Sequence, residues 1–556
     1  MKNYLFFLFL TISLSLLAQH QFHNVTSQQG ISGLSGLGHA VGWGDINNDG
    51  LQDVAFSNQD GSGFWLYKNN GENFQNITAS AGLSGNSGNM ILFADINNNG
   101  WEDLILYPQS GNQKIFINNT DETFSLMSNS GVNKMIRVVA DFNKDGYIDL
   151  MSTSNDQLTI FYNQEGETFT NEVVGSFSSN FSAIILDYNN DSWPDIYLGT
   201  YSDAPNALFK NNGDGTFENV ANEAGVLFPY AAHGLTTADY NNDGWADIYI
   251  GSYSGSTTSK LFLNNTDGSF SDVTNNMNAQ GHQDTRTVSS VDYNNNGWMD
   301  LFASHHNFYS YSNTLQRNNY GDDFTELAHE MGISGDDNNW MGDYFGLGWA
   351  DYDNDGDMDL FAAGHIDKYV LWENRNCPGH FMELILQGVQ SNQNAVGAAA
   401  TIWQNGALQK RWIQVGSGQH DSHSKRLHFG LGENDIVDSL IIDWPSGIQH
   451  RFQNTQIVVD EIWTIEEDIN MSTRKTPESL PISLRINPVN NFLLFNSSSK
   501  EKADLKIYNY QSQLIWSKQS VYLYEKIALP PTLPTGNYLI NITNSKQQKT
   551  LKLFKL

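Results

Sequence analysis

Cysteine is almost absent from this chain, which has a single one, Cys377, among 556 residues. One cysteine excludes an internal disulfide framework, and its position excludes a lipidated cysteine close behind an N-terminal signal. Long apolar runs are also scarce. The run from Tyr4 to Ala18 follows Lys2 and is too short to span a bilayer. We therefore expect residues 1–18 to be a cleaved secretory signal and the mature chain to lack a transmembrane segment.

Basic residues and recognisable catalytic motifs are scarce as well. The chain has 29 Lys and Arg against 61 Asp and Glu, a formal net charge of −32, which argues against nucleic acid as a partner. It contains no nucleophile elbow, P-loop, HExxH or CxxC motif. A mechanism based on paired carboxylates stays open, because sequence does not separate such carboxylates from metal ligands. With 39% hydrophobic and 16% charged residues, the chain is typical of a folded, turn-rich protein.

The sequence does have a nine-residue acidic motif that occurs seven times. The seventh copy, residues 351–359, reads DYDNDGDMD, and the other six follow the pattern D-x-N-x-(D/N)-(G/S)-x-x-D. The copies begin at Asp45, Asp95, Asp141, Asp187, Asp239, Asp292 and Asp351. Start-to-start spacings of 46–59 residues indicate stacked or radial structural repeats.

Each copy carries the hard oxygen atoms that Ca²⁺ prefers. Side-chain oxygens at positions 1, 3, 5 and 9, a backbone carbonyl at position 7 and a glycine at position 6 suit a short, sharply bent calcium loop. One such loop would be a weak signal, because Asp, Asn and Gly are also ordinary turn residues. Seven such loops at a regular spacing favour metal binding. An EF-hand is excluded because position 12 of the loop never holds the Glu that an EF-hand needs. We call these loops cages 1 to 7 and expect up to seven Ca²⁺.

Short β-prone segments connect the cages. After each cage come an apolar strand, a second segment that in most repeats ends in Asn, and a strand led by Phe, while a further strand precedes the cage. Four short strands per period are typical of a propeller blade. The last period lacks its Phe-led strand, and residues 22–26 supply one ahead of cage 1. We therefore expect residues 19–376 to form a seven-bladed β-propeller that residues 22–26 close.

The repeated motif, with the N-x-G-x-x-F-x-(D/N)-V pattern that follows it, resembles the FG-GAP and VCBS repeats of propellers of the integrin α-subunit type. The resemblance implies Ca²⁺ in the cages, although cages 2 and 6 have fewer carboxylates and cage 4 has Ser192 in place of glycine. The implied ligands are Asp45, Asn47, Asp49 and Asp53; Asp95, Asn97, Asn99 and Asp103; Asp141, Asn143, Asp145 and Asp149; Asp187, Asn189, Asp191 and Asp195; Asp239, Asn241, Asp243 and Asp247; Asp292, Asn294, Asn296 and Asp300; Asp351, Asp353, Asp355 and Asp359.

The rest of the chain divides into two further parts. The motifs at 395–398, 416–418, 426–432 and 443–447 resemble the ASPIC/UnbV domain of the cartilage-acidic-protein-like family, which we place at residues 377–467. Residues 468–483 have the composition of a linker. Residues 484–556 have ten Lys and Arg against three Asp and Glu and resemble the Bacteroidetes type IX secretion sorting domain. The expected fold is all-β: a seven-bladed propeller followed by two small β-sandwich-like domains.

Three functions are compatible with this organisation. The favoured one is a calcium-binding protein, secreted or on the outer-membrane surface of a Bacteroidetes-type bacterium, which binds or adheres to an extracellular glycan or protein. The alternatives are a polysaccharide-active lyase or hydrolase on a propeller scaffold and a passive envelope scaffold. We expect a ligand site on the propeller face opposite the cages, and its candidate residues are His306, His365, Trp340, His233 and Arg286. The type IX secretion machinery is the second expected partner.

Overall fold

The computed structural model describes residues 20–468 except 32–37, 59–62, 109–110, 178–179, 307–311, 336–343, 365–367, 419 and 455–456, and parts of 482–555. The predicted signal therefore lies outside the described residues. The chain forms two compact units, Met1–Ile469 and Asn470–Leu556. Helix is nearly absent from the described part, which contains one 3₁₀ turn at Ser154–Asp156. In that part no helix is long and apolar enough to cross a membrane.

Strands β1 to β28 form seven sheets, and each contains four antiparallel strands. In the first six sheets the strands follow one another along the chain, from the innermost to the outermost. Sheet by sheet, the strands are β2 Gly38–Gly44, β3 Asp53–Asn58, β4 Phe64–Asn69, β5 Phe74–Asn76; β6 Met90–Ala94, β7 Asp103–Tyr107, β8 Lys114–Asn118, β9 Phe124–Leu126; β10 Ile136–Ala140, β11 Asp149–Ser152, β12 Gln157–Gln164, β13 Thr168–Ser176; β14 Asn180–Leu186, β15 Asp195–Thr200, β16 Ala207–Asn211, β17 Phe217–Asn219; β18 Ala232–Ala238, β19 Asp247–Ser252, β20 Lys260–Asn264, β21 Phe270–Asp272; β22 Thr285–Val291, β23 Asp300–His305, β24 Thr314–Asn318, β25 Phe324–Glu326; β26 Tyr344–Ala350, β27 Asp359–Gly364, β28 Lys368–Arg375, β1 Gln21–Asn24.

The seven sheets are arranged in a closed ring. Each innermost strand packs against the innermost strand of the next sheet, from β2 through β6, β10, β14, β18 and β22 to β26, which packs back against β2. The N-terminal strand β1 pairs with β28, with Phe22 opposite Asn374, and so completes the last sheet. The prediction of an all-β propeller is therefore confirmed. The cages connect the first and second strands of each sheet, so all of them lie on one face, which we call the cage face.

Apolar side chains fill the spaces between neighbouring sheets. Where the last sheet meets the first, Trp43, Phe56 and Phe361 are completely buried in one cluster. The Trp43 indole also donates a hydrogen bond across this junction to the Gly348 carbonyl, at 2.8 Å. Burial of each such side chain stabilises the fold by about 2–3 kcal/mol, so the ring closes on packing as well as on strand pairing.

The ASPIC/UnbV-like region lies on the cage face and adds two small sheets. The first contains β29 His380–Gln387, β33 Leu427–Gly432 and β36 Ile462–Glu466, and the second contains β30 Ala399–Gln404, β31 Ala407–Trp412, β34 Ser439–Asp443 and β35 Gln449–Gln453. The short strand β32, Asp421–Ser422, belongs to neither of them. It pairs in parallel with β2 of the propeller. This region is therefore not separate from the propeller but part of the same compact unit.

Residues 415–418 and 420–425, which we call the plug, enter the centre of the propeller ring and contact every innermost strand. In ring order the contacts are Val41 N to His420 O (3.3 Å), Lys425 Nζ to Phe93 O (3.3 Å), Val139 N to Val415 O (3.2 Å), Ala183 N to Gly418 O (3.0 Å), Ser417 Oγ to Leu235 O (3.4 Å), Thr287 Oγ1 to Asp421 Oδ2, and Leu347 N to Asp421 Oδ1 (2.7 Å). Gly416 has φ of +82°, and a Cβ there would lie 2.7 Å from the Arg137 carbonyl oxygen. The plug needs glycine at this point because of both constraints.

The C-terminal unit is also built from β-strands. The strands of the unit are β37 Ile482–Leu484, β38 Phe492–Leu493, β39 Phe495–Ser497, β40 Lys502–Tyr508, β41 Leu514–Tyr522, β42 Ile527–Ala528, β43 Gly536–Thr543 and β44 Gln548–Lys555. Its main sheet has the order β41–β40–β43–β44, and Leu505, Ile507, Ile540 and Ile542 are completely buried in its core. The boundary of this unit falls within the predicted linker.

Candidate calcium centres and the opposite face

The aspartate at position 1 of every cage is fixed by the backbone of its own loop. In cage 1, Asp45 Oδ1 accepts the N–H of Asp49 at 3.1 Å and Asp45 Oδ2 accepts the N–H of Gly50 at 2.9 Å. The same two bonds form in the other six cages. Seven copies of one sequence motif thus fold into seven copies of one loop.

The aspartate at position 9 links each cage to the third strand of its sheet. In cage 1, Asp53 Oδ1 accepts the N–H of Asn69 at 2.7 Å, and Asp53 Oδ2 accepts the N–H of Ile46 at 3.0 Å. The hydrogen bond from the backbone N–H of an asparagine at or next to the end of the third strand is present in all seven sheets. Every position-9 carboxylate is completely buried. These aspartates therefore connect each cage to the third strand of its sheet, in addition to being candidate ligands of the cage.

The same seven asparagines connect neighbouring sheets. Each donates from Nδ2 to the carbonyl at position 2 of the preceding cage, over 2.7–3.0 Å. The pairs are Asn69 with Tyr352, Asn118 with Ile46, Asn163 with Ile96, Asn211 with Phe142, Asn264 with Tyr188, Asn318 with Tyr240, and Asn374 with Tyr293. We call these residues the latch asparagines, because each fixes its own sheet to the cage of the sheet before it.

Position 4 of the cages makes a second set of links that the sequence motif did not reveal. This residue is left-handed in all seven cages, with φ between 53° and 60°. In five cages its Asn side chain donates to the carbonyl of the position-6 glycine in the next cage, as Asn354 does to Gly50 across the ring closure. Cage 3 has Lys144 instead, whose ammonium lies 4.3 Å from the centroid of the Trp193 ring in cage 4. Ser192 is also left-handed, with φ of 69°, which costs about 1–2 kcal/mol.

Burial works against ionisation of the cage carboxylates. It raises the pKa of Asp45, Asp95, Asp141, Asp187 and Asp239 to about 6 and that of Asp103 to about 7. For Asp195 and Asp355 the pKa rises to about 8, again chiefly through burial. In cage 7, burial and neighbouring carboxylates also raise the pKa of Asp351 and Asp359 well above the usual value. A bound cation would offset this cost.

Two observations test whether the cages fit a cation. In cage 7, one carboxylate oxygen from each of Asp351, Asp353 and Asp359 lies within 4.8 Å of the others, the one such metal-compatible group found among the described residues. In cage 1, the Asn47 Oδ1 acceptor is buried without a hydrogen-bond partner. Both features suit a hard cation with oxygen ligands, and the donor set is the one that Ca²⁺ prefers.

The face opposite the cages carries a second constellation, which β-bulges create. Six of the seven innermost strands have an irregularity at the same position, near the strand end far from the cage. Bulges of this kind change the direction in which side chains point. The residues at these positions, which we call the bulge ring, are His39, Arg137, Phe181, His233, Arg286 and Phe345.

The bulge ring and Tyr253 form a continuous arc of contacts. The Arg137 guanidinium lies 5.9 Å from the Phe181 ring centroid, Phe181 lies 4.0 Å from His233, and His233 stacks on Tyr253 at 3.7 Å. The arc continues through the Arg286 guanidinium to the Tyr253 and Phe345 rings. Arg286 lies 4.9 Å from the Tyr253 centroid and 4.6 Å from the Phe345 centroid. His39 ends the arc, 5.5 Å from Phe345 and 3.8 Å from His420 at the tip of the plug.

The five ligand-site candidates are distributed unevenly relative to this arc. His233 and Arg286 belong to it, and His306 adjoins it, with its ring 6.2 Å from Tyr253 and its Nδ1 3.4 Å from Asp284 Oδ2. His365 and Trp340 lie outside the described residues. Sequence reasoning missed Arg137, Phe181 and Phe345. A fixed spacing in the sequence could have identified most of the ring, because five of its six members stand six residues before the first aspartate of their cage.

Comparison with known proteins identifies the class. The model of the FG-GAP-like repeat matches residues 45–106, 141–198, 187–250, 239–303 and 292–362, which together make up half of the chain. The model described as ASPIC and UnbV matches residues 388–471. The chain therefore belongs to the FG-GAP-like repeat family, as a propeller of such repeats followed by an ASPIC/UnbV domain.

Among individual proteins, the chain is 28% identical over 272 residues to cartilage acidic protein 1 of Xenopus tropicalis and to that of Homo sapiens. The match covers 46% of this chain, and it spans only 40% of the length of those relatives. Solved structures are similar at a greater distance. BBS1N in its complex with ARL6DN, soaked with mercury, has a TM-score of 0.39 and 12% identity, covering 62% of this chain and 95% of that one. The exotype rhamnogalacturonan lyase YesX has a TM-score of 0.30 and 11% identity, covering 77% and 73%.

Proposed function

We propose that this protein is a calcium-stabilised binding module that works outside the cell and binds its ligand on the face opposite the cages. The observation that carries the proposal is the repetition of one carboxylate loop around a closed ring, with every loop linked to its neighbour by a latch asparagine. A ring built in this way presents one face for metal ions and leaves the other for recognition.

Calcium would be held by the side chains at positions 1, 3, 5 and 9 of each cage together with the carbonyl at position 7. Its chemistry there is electrostatic, because a divalent cation offsets the cost of burying several carboxylates on one loop. Cage 7 has four aspartates at these positions, and three of them converge in the structure. Cages 2 and 6 have two aspartates each, so we expect them to bind the ion more weakly.

Location outside the cell is supported by the repeat family and by the similarity to cartilage acidic protein 1, which together suggest an extracellular protein. We extend this to export through a type IX secretion machinery, addressed by the C-terminal unit. That unit is compact by itself and carries the opposite charge to the rest of the chain.

Recognition of a glycan or protein is supported by the chemistry of the opposite face. Partly exposed aromatic, imidazole and guanidinium groups come together there, and such groups recognise ligands by stacking and hydrogen bonding. Tyr201, with 59% of its surface exposed, stacks on the buried His233 at 5.3 Å and extends the arc outward.

A glycan and protein array with full-length, calcium-loaded protein tests this function. We expect ligand binding that the double variant Tyr253→Ala/His306→Ala removes and that Arg451→Ala, an exposed change in the ASPIC/UnbV region, leaves intact. Both variants should melt as the wild type does in calcium. Binding that survives the double variant would place the site elsewhere, and the absence of any ligand would favour a passive scaffold.

A further inference from the structure

A cavity of about 330 Å³ lies where the ASPIC/UnbV region meets cages 3 and 4 of the propeller. Ile185 and Leu186, at the end of β14, line its propeller side. Trp412 ends β31 and lines the other side, together with Ile413 and residues of the turn at 444–448 that follows β34. Both sides belong to one compact unit, so the cavity is part of the fold of that unit.

Two of the four motifs on which the ASPIC/UnbV resemblance depends line this cavity. The motif at 395–398 contributes Val396, and the motif at 443–447 contributes Trp444 and Pro445. The other two motifs have places of their own, one in the plug and the other in β33. The cavity therefore gives the first two motifs a common location, although they are separated in the sequence.

The walls of the cavity are mainly apolar, and their apolar members include Val139, Ile185, Leu186, Pro194, Val396 and Ile413. Cavities that hold small ligands have volumes of roughly 300–1,000 Å³, and apolar walls with a few polar groups are typical of them. A second cavity, of about 310 Å³ beside cages 1 and 2, is nearly as large, but Glu102, Lys425 and Arg426 make its lining charged. The first cavity therefore suits the apolar body of a ligand better than the second.

Three polar side chains of the lining offer hydrogen-bond donors. Trp444 is 3% exposed, and its indole N–H is buried without an acceptor. The Lys410 ammonium lies 3.4 Å from Asn190 Oδ1 and 5.3 Å from the centroid of the Trp412 ring. Among the residues that the structure describes, neither Lys410 nor Lys144 forms an ion pair. A ligand that satisfies these donors must supply acceptors.

Three carboxylates also line the cavity, and each already has hydrogen-bond partners. Asp141 and Asp187 are the position-1 residues of cages 3 and 4, where each accepts two N–H bonds from its own loop. Asp443 accepts a hydrogen bond from Gln449 Nε2 at 2.6 Å. The two cage aspartates also attract the lysine ammonium groups. Calcium in cages 3 and 4 would offset these aspartates, so the lysines would then favour an anion at this end of the cavity.

We propose that this cavity binds a small carboxylic acid that has an apolar body and one further acceptor oxygen. The carboxylate lies at the cage end, on the ammonium groups of Lys144 and Lys410. The apolar body lies between the propeller walls and the ASPIC/UnbV walls, and the further oxygen accepts the Trp444 N–H. This site is separate from the proposed ligand face opposite the cages.

Other kinds of small ligand fit this cavity less well than such an acid. A saccharide would place hydroxyl groups against the apolar walls, and burying a hydroxyl without a hydrogen-bond partner costs free energy. A cationic ligand would be repelled by the two ammonium groups. A purely apolar ligand would leave the Trp444 N–H without an acceptor.

Calorimetric titration of the full-length protein with hippurate tests the proposal, because hippurate has a phenyl ring, an amide carbonyl and a carboxylate. Millimolar calcium is present throughout, since free carboxylates at Asp141 and Asp187 would repel the anion. Hippuramide replaces the carboxylate by a neutral amide, and acetylglycine replaces the phenyl ring by a methyl group. We expect each of these two to bind at least tenfold more weakly than hippurate. No binding of hippurate, or equal affinity for hippurate and either analogue, would overturn the proposal.

Two variants locate the site. Lys410→Gln should weaken hippurate binding at least tenfold and leave hippuramide binding unchanged, because only hippurate has the carboxylate. Trp444→Phe should weaken the binding of both compounds severalfold, because both have the benzamide carbonyl. Lys210→Gln is the matched control for charge, since Lys210 is a partly exposed lysine on β16 of the same sheet as cage 4 and does not line the cavity. It should change the affinity for hippurate less than twofold.

Equal losses of hippurate affinity in Lys410→Gln and Lys210→Gln would reduce the effect to net charge and overturn the proposed site. If Trp444→Phe does not fold, the lysine variants still decide the outcome. The proposed function is tested separately, because Lys410→Gln should bind any ligand found on the array as the wild type does.

Discussion

At the scale of single residues, the most constrained group in the plug is Asp421. It is completely buried in the centre of the ring, where Oδ1 accepts the Leu347 N–H at 2.7 Å and Oδ2 accepts from the Thr287 hydroxyl. Burial raises its pKa from 3.8 to about 8, so we expect it to be protonated at neutral pH in the folded chain. The hydrogen bonds of Asp421 to the ring come from a hydroxyl and a backbone N–H, and neither donor is charged.

A pH-dependent contribution to stability follows from Asp421. Between about pH 4 and pH 8 the carboxyl is ionised in the unfolded chain and protonated in the folded one, so unfolding releases a proton and stability falls as pH rises. Asp421→Asn keeps the shape of the protonated acid and removes this proton. We expect the stability of the variant relative to wild type to rise by at least about 1 kcal/mol from pH 5.5 to pH 7.5.

Urea unfolding at the two pH values, at constant calcium, measures this difference. Comparing the variant with wild type cancels the titration of the cages. A relative stability that stays constant between the two pH values would show that Asp421 is ionised in the fold.

At the scale of strands and loops, the latch asparagines connect the repeats. Asn264 is buried and donates to Tyr188 O at 2.7 Å and to Ala246 O at 3.2 Å, and its own N–H binds Asp247. Its neighbour Asn265 is exposed, and its side chain bonds to Ser269 in the following turn and to Ser271 in the adjoining strand. The two residues differ in role although they are adjacent in sequence.

Asn264→Ala should therefore lower the free energy of unfolding by about 2–4 kcal/mol, because it leaves buried carbonyl groups without donors. Asn265→Ala, the matched control, should cost less than about 1 kcal/mol. Chemical unfolding in saturating calcium measures both changes. Equal effects in the two variants would mean that the latch contributes nothing beyond ordinary turn bonding.

The sequence predicted the elements better than it predicted the contacts between them. The cages and the four-strand period follow from local patterns, since glycine, carboxylate and β-prone residues recur at fixed spacing. No such local pattern predicts the plug. Asp421 contacts Thr287 and Leu347 because the closed ring brings them together, although they lie far from it in the sequence. The bulge ring was predicted only in part, because a bulge decides which strand residue joins the arc.

At the scale of the whole molecule, the propeller and the ASPIC/UnbV region form one unit, and the C-terminal residues form another. We expect deletion of residues 484–556 to leave the first unit folded and binding calcium but to retain the protein in the periplasm of a host with a type IX machinery. Cell fractionation with immunodetection measures this, and the full-length chain is the control. Normal amounts of truncated protein outside the cell would contradict the assigned role of the C-terminal unit.

The stability of the whole first unit should also depend on calcium. Sites with a dissociation constant of about 10⁻⁴ M each add about 1.4 kcal/mol at millimolar Ca²⁺, so several occupied cages rival the stability of an ordinary domain. Asp351→Ala should cost more than Asp292→Ala. The reason is that cage 7 has the larger set of carboxylates and belongs to the sheet that closes the ring.

The most direct measurement is scanning calorimetry of the full-length protein in millimolar calcium and in EDTA, with magnesium as the control cation. We predict a melting temperature at least about 10 °C lower in EDTA, little recovery in magnesium, and a smaller calcium effect in Asp351→Ala than in Asp292→Ala. A melting temperature that is the same in calcium and in EDTA would contradict the claim that calcium in the cages holds the propeller together.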